Sequence, residues 1–503
     1  MKLSKLEAYT EKHQRRVLFS LLAFFGLIFL LIAVPNHYFF RTYAFDLGIF
    51  NNAIYDYAHF KWNDNPVKLY ENILSDHFTL LHIPFSLLYW VLGSYTLIII
   101  QVAAILFGAF GAYKYHTLRT HNPFLSLLLL FQFLCIWGIY SALAYDYHDN
   151  VVAAMLVPWF FYYFHQKKWW PAIVFYALIL ACKENMALWA IFLNLGLAII
   201  YFKDKQQFRL ALLFSFIAAV YFIIVVKLVI PLLAVGERPY VYIQNYAALG
   251  NNFSEIITTI FTRPFYVFGL LFQNHLNDPI ADGIKWELHI MVLLSGGFAL
   301  FYRPAYLVML LPIYAQKLFI SNFMIWGLNY QYSIEFVPIL NIALVEMIIR
   351  QPKSRAMLIA WIALGLTFAA NARSLNTRVS KWFDSSAIQF YKGKHYRRHF
   401  SAHKAHQALK IIPKDAPVSA LSPLVPHLAF RDYIYEFPYL GNARYIALIQ
   451  NENPYPLTEA EYKQKIEDLK KSSEWQVIYD EDFILILKTT KPAPAIEQEI
   501  IFK

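Results

Sequence analysis

The sequence predicts a polytopic α-helical membrane protein followed by a small α/β domain. Three observations carry that prediction. Only 15% of the 503 residues are charged while 58% are hydrophobic, against about 25% charged in ordinary soluble domains. Apolar runs of about 17–22 residues recur, the length a helix needs to cross a hydrocarbon core of about 30 Å. Lys and Arg between the runs gather in short turns, as loops held on the cytoplasmic side do. The formal charge of +11 therefore reads as topology, and no nucleic-acid partner is expected.

The elements follow in order. Lys2, Lys5, Lys12, Arg15 and Arg16 precede Val17–Val34 and place the N-terminus inside. That run exceeds a signal-peptide core of about 7–15 residues and is followed by no small-residue cleavage site, so it reads as an uncleaved first helix. Residues 35–94 form an outer loop. Tyr95–Tyr113 returns to Lys114 and Arg119, and Pro123–Tyr140 exits again. The next outer turn, Ala144–Asn150, holds Asp146, His148 and Asp149 with no Lys or Arg. Val151–Phe164 returns to Lys167 and Lys168, and Trp170–Cys182 leads out to Lys183-Glu184-Asn185. Met186–Phe202 and Leu210–Ile230 flank Lys203, Lys205 and Arg209.

A long outer connection, Pro231–Trp286, contains Phe265–Phe272, which is too short to span and is expected to dip into the outer leaflet. Glu287–Phe301, Ala305–Ile320, Ile334–Ile349 and Met357–Ala370 complete a count of about eleven helices, N-terminus in and C-terminus out. Cys135 and Cys182 lie within apolar runs and read as small core residues.

Residues 1–370 are thus assigned to the membrane domain and 371–503 to an extracytoplasmic α/β domain with a basic linker at its start. Within the latter, a helix is expected near His399–Leu409, strands at Val418–Leu421, Tyr433–Phe437 and Arg444–Ile449, and a helix at Thr458–Lys471. A hairpin of Trp475–Tyr479 and Phe483–Lys488 closes it. It carries no glycine-rich phosphate loop, and the chain shows no HExxH or serine-hydrolase elbow.

Asp46, Asp76, Asp146, His148, Lys183 and Glu184 each stand where one apolar stretch ends and another begins. Charge at membrane depth is costly, which makes such residues functional candidates. Leu47, Phe50, Ile54 and Tyr57 recur at three-to-four spacing, a pattern suited to a helix lying in the interface with Asp46 at its start. The bland alternative for Asp46 is a helix cap. Asp76 and His77 are adjacent, a pairing that orients an imidazole or shares a metal. On a helical turn Asp146 and Asp149 share a face, so with His148 they would hold a divalent cation, Mg or Mn, or a diphosphate through one. A solvated acidic turn is the alternative. Lys183 would neutralise a phosphate that Glu184 positions, or the two form a self-satisfied ion pair.

Phe45-Asp-Leu-Gly-Ile-Phe50, Ser75-Asp-His-Phe78, Asp146-Tyr-His148, Lys183-Glu184, Val418-Ser-Ala-Leu421 and Pro426-His-Leu-Ala-Phe-Arg431 occur in this order. Together they resemble the prokaryotic membrane-protein family catalogued as domain of unknown function 2079, from about residue 40 to about residue 490. That family resembles in architecture the GT-C glycosyltransferases, multi-pass enzymes that use polyprenyl-phosphate sugars. The resemblance implies a first-loop acid at Asp46 as general base and a second acidic motif at Asp146 and His148. It implies a polyprenyl-phosphate sugar donor, a glycan, lipid or protein acceptor in the cell envelope, and residence in the cytoplasmic membrane. Relatives often read His-Pro-Glu and Lys-Glu-Asp where this chain has His148-Asp149-Asn150 and Lys183-Glu184-Asn185, which leaves metal dependence open. Two rivals remain: a transporter or lipid-handling protein, and a non-catalytic scaffold whose acids are only caps.

Overall fold

In the computed structural model of the chain, residues 3–234 and 245–492 are described. They fall into two compact units, one of 1–41 with 71–396 and one of 42–70 with 397–503.

The first unit is mainly helical, and the apolar runs named above lie largely on helix, with Pro123–Tyr140 broken at Cys135 and Ile136. Five helices are long and apolar enough to cross a bilayer: Glu7–Tyr38, His82–Thr120, Lys205–Leu233, Pro279–Tyr302 and Lys353–Asn376. Pro123–Leu134 and Trp137–Leu143 form a sixth candidate, bent by 44°. Trp169–Cys182, Glu184–Ile200 and Phe336–Ile348 are shorter apolar helices. Close helix contact depends on missing side chains. A Cβ on Gly108 would stand 2.6 Å from Met155 Cβ and 2.7 Å from its carbonyl oxygen, so the helix Thr96–Thr120 meets Asp149–His165 backbone to backbone.

The helix entered at Ile284 is interrupted at Leu293–Gly297, where Gly296 takes φ +96°. Backbone freed by such a break needs a new partner inside an apolar bundle. Gln132 supplies one, its Nε2 donating to Ser295 O at 3.0 Å. The same amide continues a buried polar chain. Gln132 Oε1 accepts from Asn341 Nδ2 at 2.9 Å, and Asn341 Oδ1 lies 2.6 Å from His116 Nε2.

The second unit is built on a five-stranded sheet. Its strands are β1 (Val418–Ala420), β2 (Ile434–Glu436), β3 (Tyr445–Ile449), β4 (Trp475–Glu481) and β5 (Ile484–Thr489), in spatial order β2-β1-β3-β5-β4. β1 runs parallel to β2 and β3, while β5 is antiparallel to both β3 and β4. Every residue of the central β1 and β3 is buried, which is why those strands read as apolar runs rather than alternation. The helix Glu459–Lys471 starts with a reciprocal capping box between Thr458 and Glu461.

The helix Ile49–Ala58 belongs to this second unit and corrects one expectation. Its three-to-four spacing suggested a helix resting in a membrane interface. It is instead buried nearly all round, including Asn51, Asn52 and Asp56. Asn51 donates to Pro426 O at 3.1 Å, and Asn52 donates to Ala429 O and Arg431 O at 3.1 and 3.0 Å. Amides that would face headgroups on an interfacial helix here satisfy carbonyls of the Pro426–Arg431 segment.

Candidate functional site

Two short polar knots in the first unit bring together most of the residues singled out from the sequence. The first forms where the helix Trp169–Cys182 ends and Glu184–Ile200 begins. Lys183 sits between them with extended backbone, which starts a new helix and puts Glu184 in its first turn, where the N-terminal dipole favours a carboxylate. Glu184 is buried, and its Oε2 accepts the Phe78 N–H at 3.1 Å. Leu80 N–H donates to Ala181 O at 2.9 Å, so the loop carrying Asp76 and His77 is fastened to the same junction. The His77 ring lies between the two charges: Lys183 Nζ donates to Nε2 at 3.2 Å, and Nδ1 faces Glu184 Oε1 at 3.5 Å. An imidazole that accepts at Nε2 carries its proton on Nδ1, toward the carboxylate. Asp76 Oδ2 lies 3.9 Å from His77 Nε2.

The second knot surrounds Asp149, first residue of the helix Asp149–His165. Its Oδ1 is 3.1 Å from His82 Nε2 and accepts from Tyr147 Oη at 2.8 Å. Gln101 braces the preceding turn, accepting the His148 N–H at 2.8 Å and donating to Asp146 O at 3.4 Å. The His148 ring stacks on Tyr145 at 5.4 Å, with Nδ1 3.0 Å from the Asp146 carbonyl oxygen. Asn150 donates to Glu335 Oε1 at 2.8 Å. Lys183 lies within electrostatic reach of Asp149, Glu184 and Glu335, which ties the knots into one neighbourhood.

The expected metal trio of Asp146, His148 and Asp149 does not fit that neighbourhood. Asp149 spends its Oδ1 on His82 and Tyr147, and the His148 ring is turned back on its own turn by stacking and by the Asp146 carbonyl. Among the described residues no three His, Cys, Asp or Glu side chains gather as a cation would require.

Asp46 lies in the second unit. It is half-buried in the turn Ala44–Gly48, which leads into Ile49–Ala58. The Ala44 N–H donates to Ser422 Oγ at 3.2 Å, and a Cβ on Gly48 would meet Val425 Cγ1 at 2.8 Å. Arg431 is structural: its guanidinium donates to the carbonyls of Leu428, Pro413 and Ala416 at 2.7, 3.1 and 2.7 Å.

His82, Tyr147, Gln101 and Glu335 were not anticipated from the sequence. His82 and Glu335 lie inside or beside apolar runs, and each carried the signal used for the others, an ionisable group at a run boundary. Tyr147 and Gln101 gave no such signal.

A family described as a predicted membrane protein, DUF2079, matches residues 36–486. No curated protein matches the chain.

Proposed function

The chain belongs to the DUF2079 family of predicted membrane proteins, and from that premise we propose that it is a GT-C-type glycosyltransferase of the cytoplasmic membrane. It would span the bilayer about eleven times, N-terminus in, with the α/β unit outside, as the placing of its basic turns favours. The donor is a polyprenyl-phosphate sugar, and the acceptor a glycan, lipid or protein of the cell envelope. One observation carries the reading: a half-buried knot of Lys183, His77 and Asp76 around the buried Glu184, adjoining Asp149 and His82, set among apolar helices. A lysine nitrogen that donates to one imidazole nitrogen keeps further donors for an anion, and partial burial raises the value of each such bond.

In this mechanism the acceptor oxygen attacks the anomeric carbon as its proton passes to a carboxylate. The bond from that carbon to the lipid-phosphate oxygen breaks, and the phosphate leaves with the bonding pair. Lys183 stabilises the charge gathering on the departing phosphate, the kind of contribution that is usually the largest in such reactions, and His77 holds the Lys183 ammonium in place. Glu184 holds the His77 ring in place. Asp46 is the base to which the family resemblance points, a role worth about 10²–10⁴-fold.

A second reading, a transporter or lipid-handling protein, is favoured by the buried chain His116–Asn341–Gln132 and by the Glu346 carboxylate deep in the bundle. There Glu346 pairs with Arg119 at 2.5 Å and with Tyr115 at 2.9 Å. These groups satisfy one another across helices, which suits structural glue as well as a pathway. Purified protein in proteoliposomes, given a panel of polyprenyl-phosphate sugars, separates the readings. Transfer releases lipid phosphate, whereas transport moves the labelled lipid or solute with no cleavage.

A further inference from the structure

Between the candidate spans Lys205–Leu233 and Pro279–Tyr302 lie two helices, Phe253–Thr262 and Pro264–Leu270, of 10 and 7 residues. At 1.5 Å per residue they measure about 15 Å and about 11 Å, too short to cross a core of about 30 Å. One side of the pair is anchored: Ile256 and Val267 pack on the apolar cluster of Leu249, Leu270 and Phe319. The other side is bare. Phe253, Phe261, Phe265 and Phe268 are 67%, 78%, 92% and 62% exposed. Alongside runs a cavity of about 580 Å³ whose lining includes Thr258, Thr259, Thr262, Arg263 and Tyr266. Tyr266 Oη donates to Ala248 O at 2.9 Å, closing one wall. Glu255, the acid of the described lining, is already engaged by Asn251 N and Asn252 Nδ2, both at 2.7 Å. Among the described residues Arg263 makes no ion pair.

We propose that this helix pair lies in the surface of the bilayer and that the cavity beside Arg263 takes the phosphate headgroup of a phospholipid. The flanking spans hold the pair against the membrane. Four bare phenylalanines suit the acyl boundary, and a guanidinium with no acidic partner among the described residues, flanked by threonine hydroxyls, suits a phosphate oxygen pair. Bare aromatic side chains beside an exposed phosphate-binding group match the two ends of one lipid molecule. The inference does not rest on the glycosyltransferase reading.

The test uses the full chain. Native mass spectrometry would follow phosphatidylglycerol binding to the wild type, Arg263→Gln and Arg263→Lys, with a phosphate-free galactosyl diacylglycerol and inorganic phosphate as competitors. A tenfold change corresponds to about 1.4 kcal/mol. Arg263→Gln is expected to weaken phosphatidylglycerol binding about tenfold and Arg263→Lys much less, with the galactolipid a poor competitor. A nitroxide at Phe265→Cys, in a chain whose Cys135 and Cys182 are buried, is expected to collide with oxygen more than with an aqueous nickel chelate. Equal binding by Arg263→Gln, or equal competition by the galactolipid, would overturn the headgroup site. Displacement of the lipid by millimolar inorganic phosphate would replace it with a free-anion site. A label reached mainly by the nickel chelate would remove the pair from the membrane.

Discussion

Asp56 offers a quantitative test of how the second unit is assembled. It lies in the buried helix Ile49–Ala58 and is only 8% exposed. Burial pushes its carboxyl up from the usual 3.8 to about 6, against the opposing pull of Asn63, whose Nδ2 donates to Oδ2 at 2.7 Å, and of nearby Lys61. A folded-state value above the unfolded one means that folding takes up a proton between the two. The stabilisation is complete below 3.8, is lost as pH rises through about 6, and is constant above that. The gap of roughly two pH units corresponds to about 3 kcal/mol, or about 100-fold in an opening equilibrium. Asp56→Asn keeps an acceptor for Asn63 while removing the ionisable group. Hydrogen exchange of the 49–58 amides, corrected for intrinsic rates, should show protection in the wild type falling by up to about 100-fold between pH 4 and pH 7. The variant should stay flat and be better protected at pH 7. Matching pH profiles for the two proteins would refute the buried, half-compensated carboxylate.

Two substitutions probe close packing. Gly48→Ala places a methyl 2.8 Å from Val425 Cγ1; it should cost about 1–3 kcal/mol in unfolding free energy, and Val425→Ala should restore most of the loss. Gly108→Ala meets Met155 backbone that cannot step aside, with its carbonyl oxygen at 2.7 Å. It should lower the thermal midpoint in detergent more than Gly365→Ala, where the added Cβ has open space.

What was legible in the sequence divides along physical lines. The long apolar helices of the first unit announced themselves because each must bury its polar backbone along an apolar run, whereas Phe253–Thr262 was not foreseen. In the second unit, the helix expected at Thr458–Lys471 forms at Glu459–Lys471, and the runs Val418–Leu421 and Arg444–Ile449 located the central strands to within a residue. The helix Ile49–Ala58 was found but misplaced, because apolar spacing reports that one face is covered and not by what. Its buried Asn51 and Asn52 are explained only by carbonyls some 375 residues away in sequence. The interruption at Leu293–Gly297 lies within an unbroken apolar run, and only the paired Gly296-Gly297 hinted at it. At the candidate site, Lys183, Glu184, Asp76 and His77 were visible as charges at run boundaries. His82 and Glu335 carried a similar mark but were absorbed into the adjoining apolar stretches.

The most direct measurement is lipid-phosphate release from polyprenyl-phosphate sugars by the reconstituted protein, comparing wild type, Lys183→Met and Asp46→Asn, each with and without EDTA. Wild type should release phosphate at a rate unchanged by the chelator. Both variants should lose most turnover, by about 10²-fold or more, while keeping their folded signal. Undiminished release by Lys183→Met, or release abolished by EDTA, would contradict a lysine-centred site for the lipid phosphate.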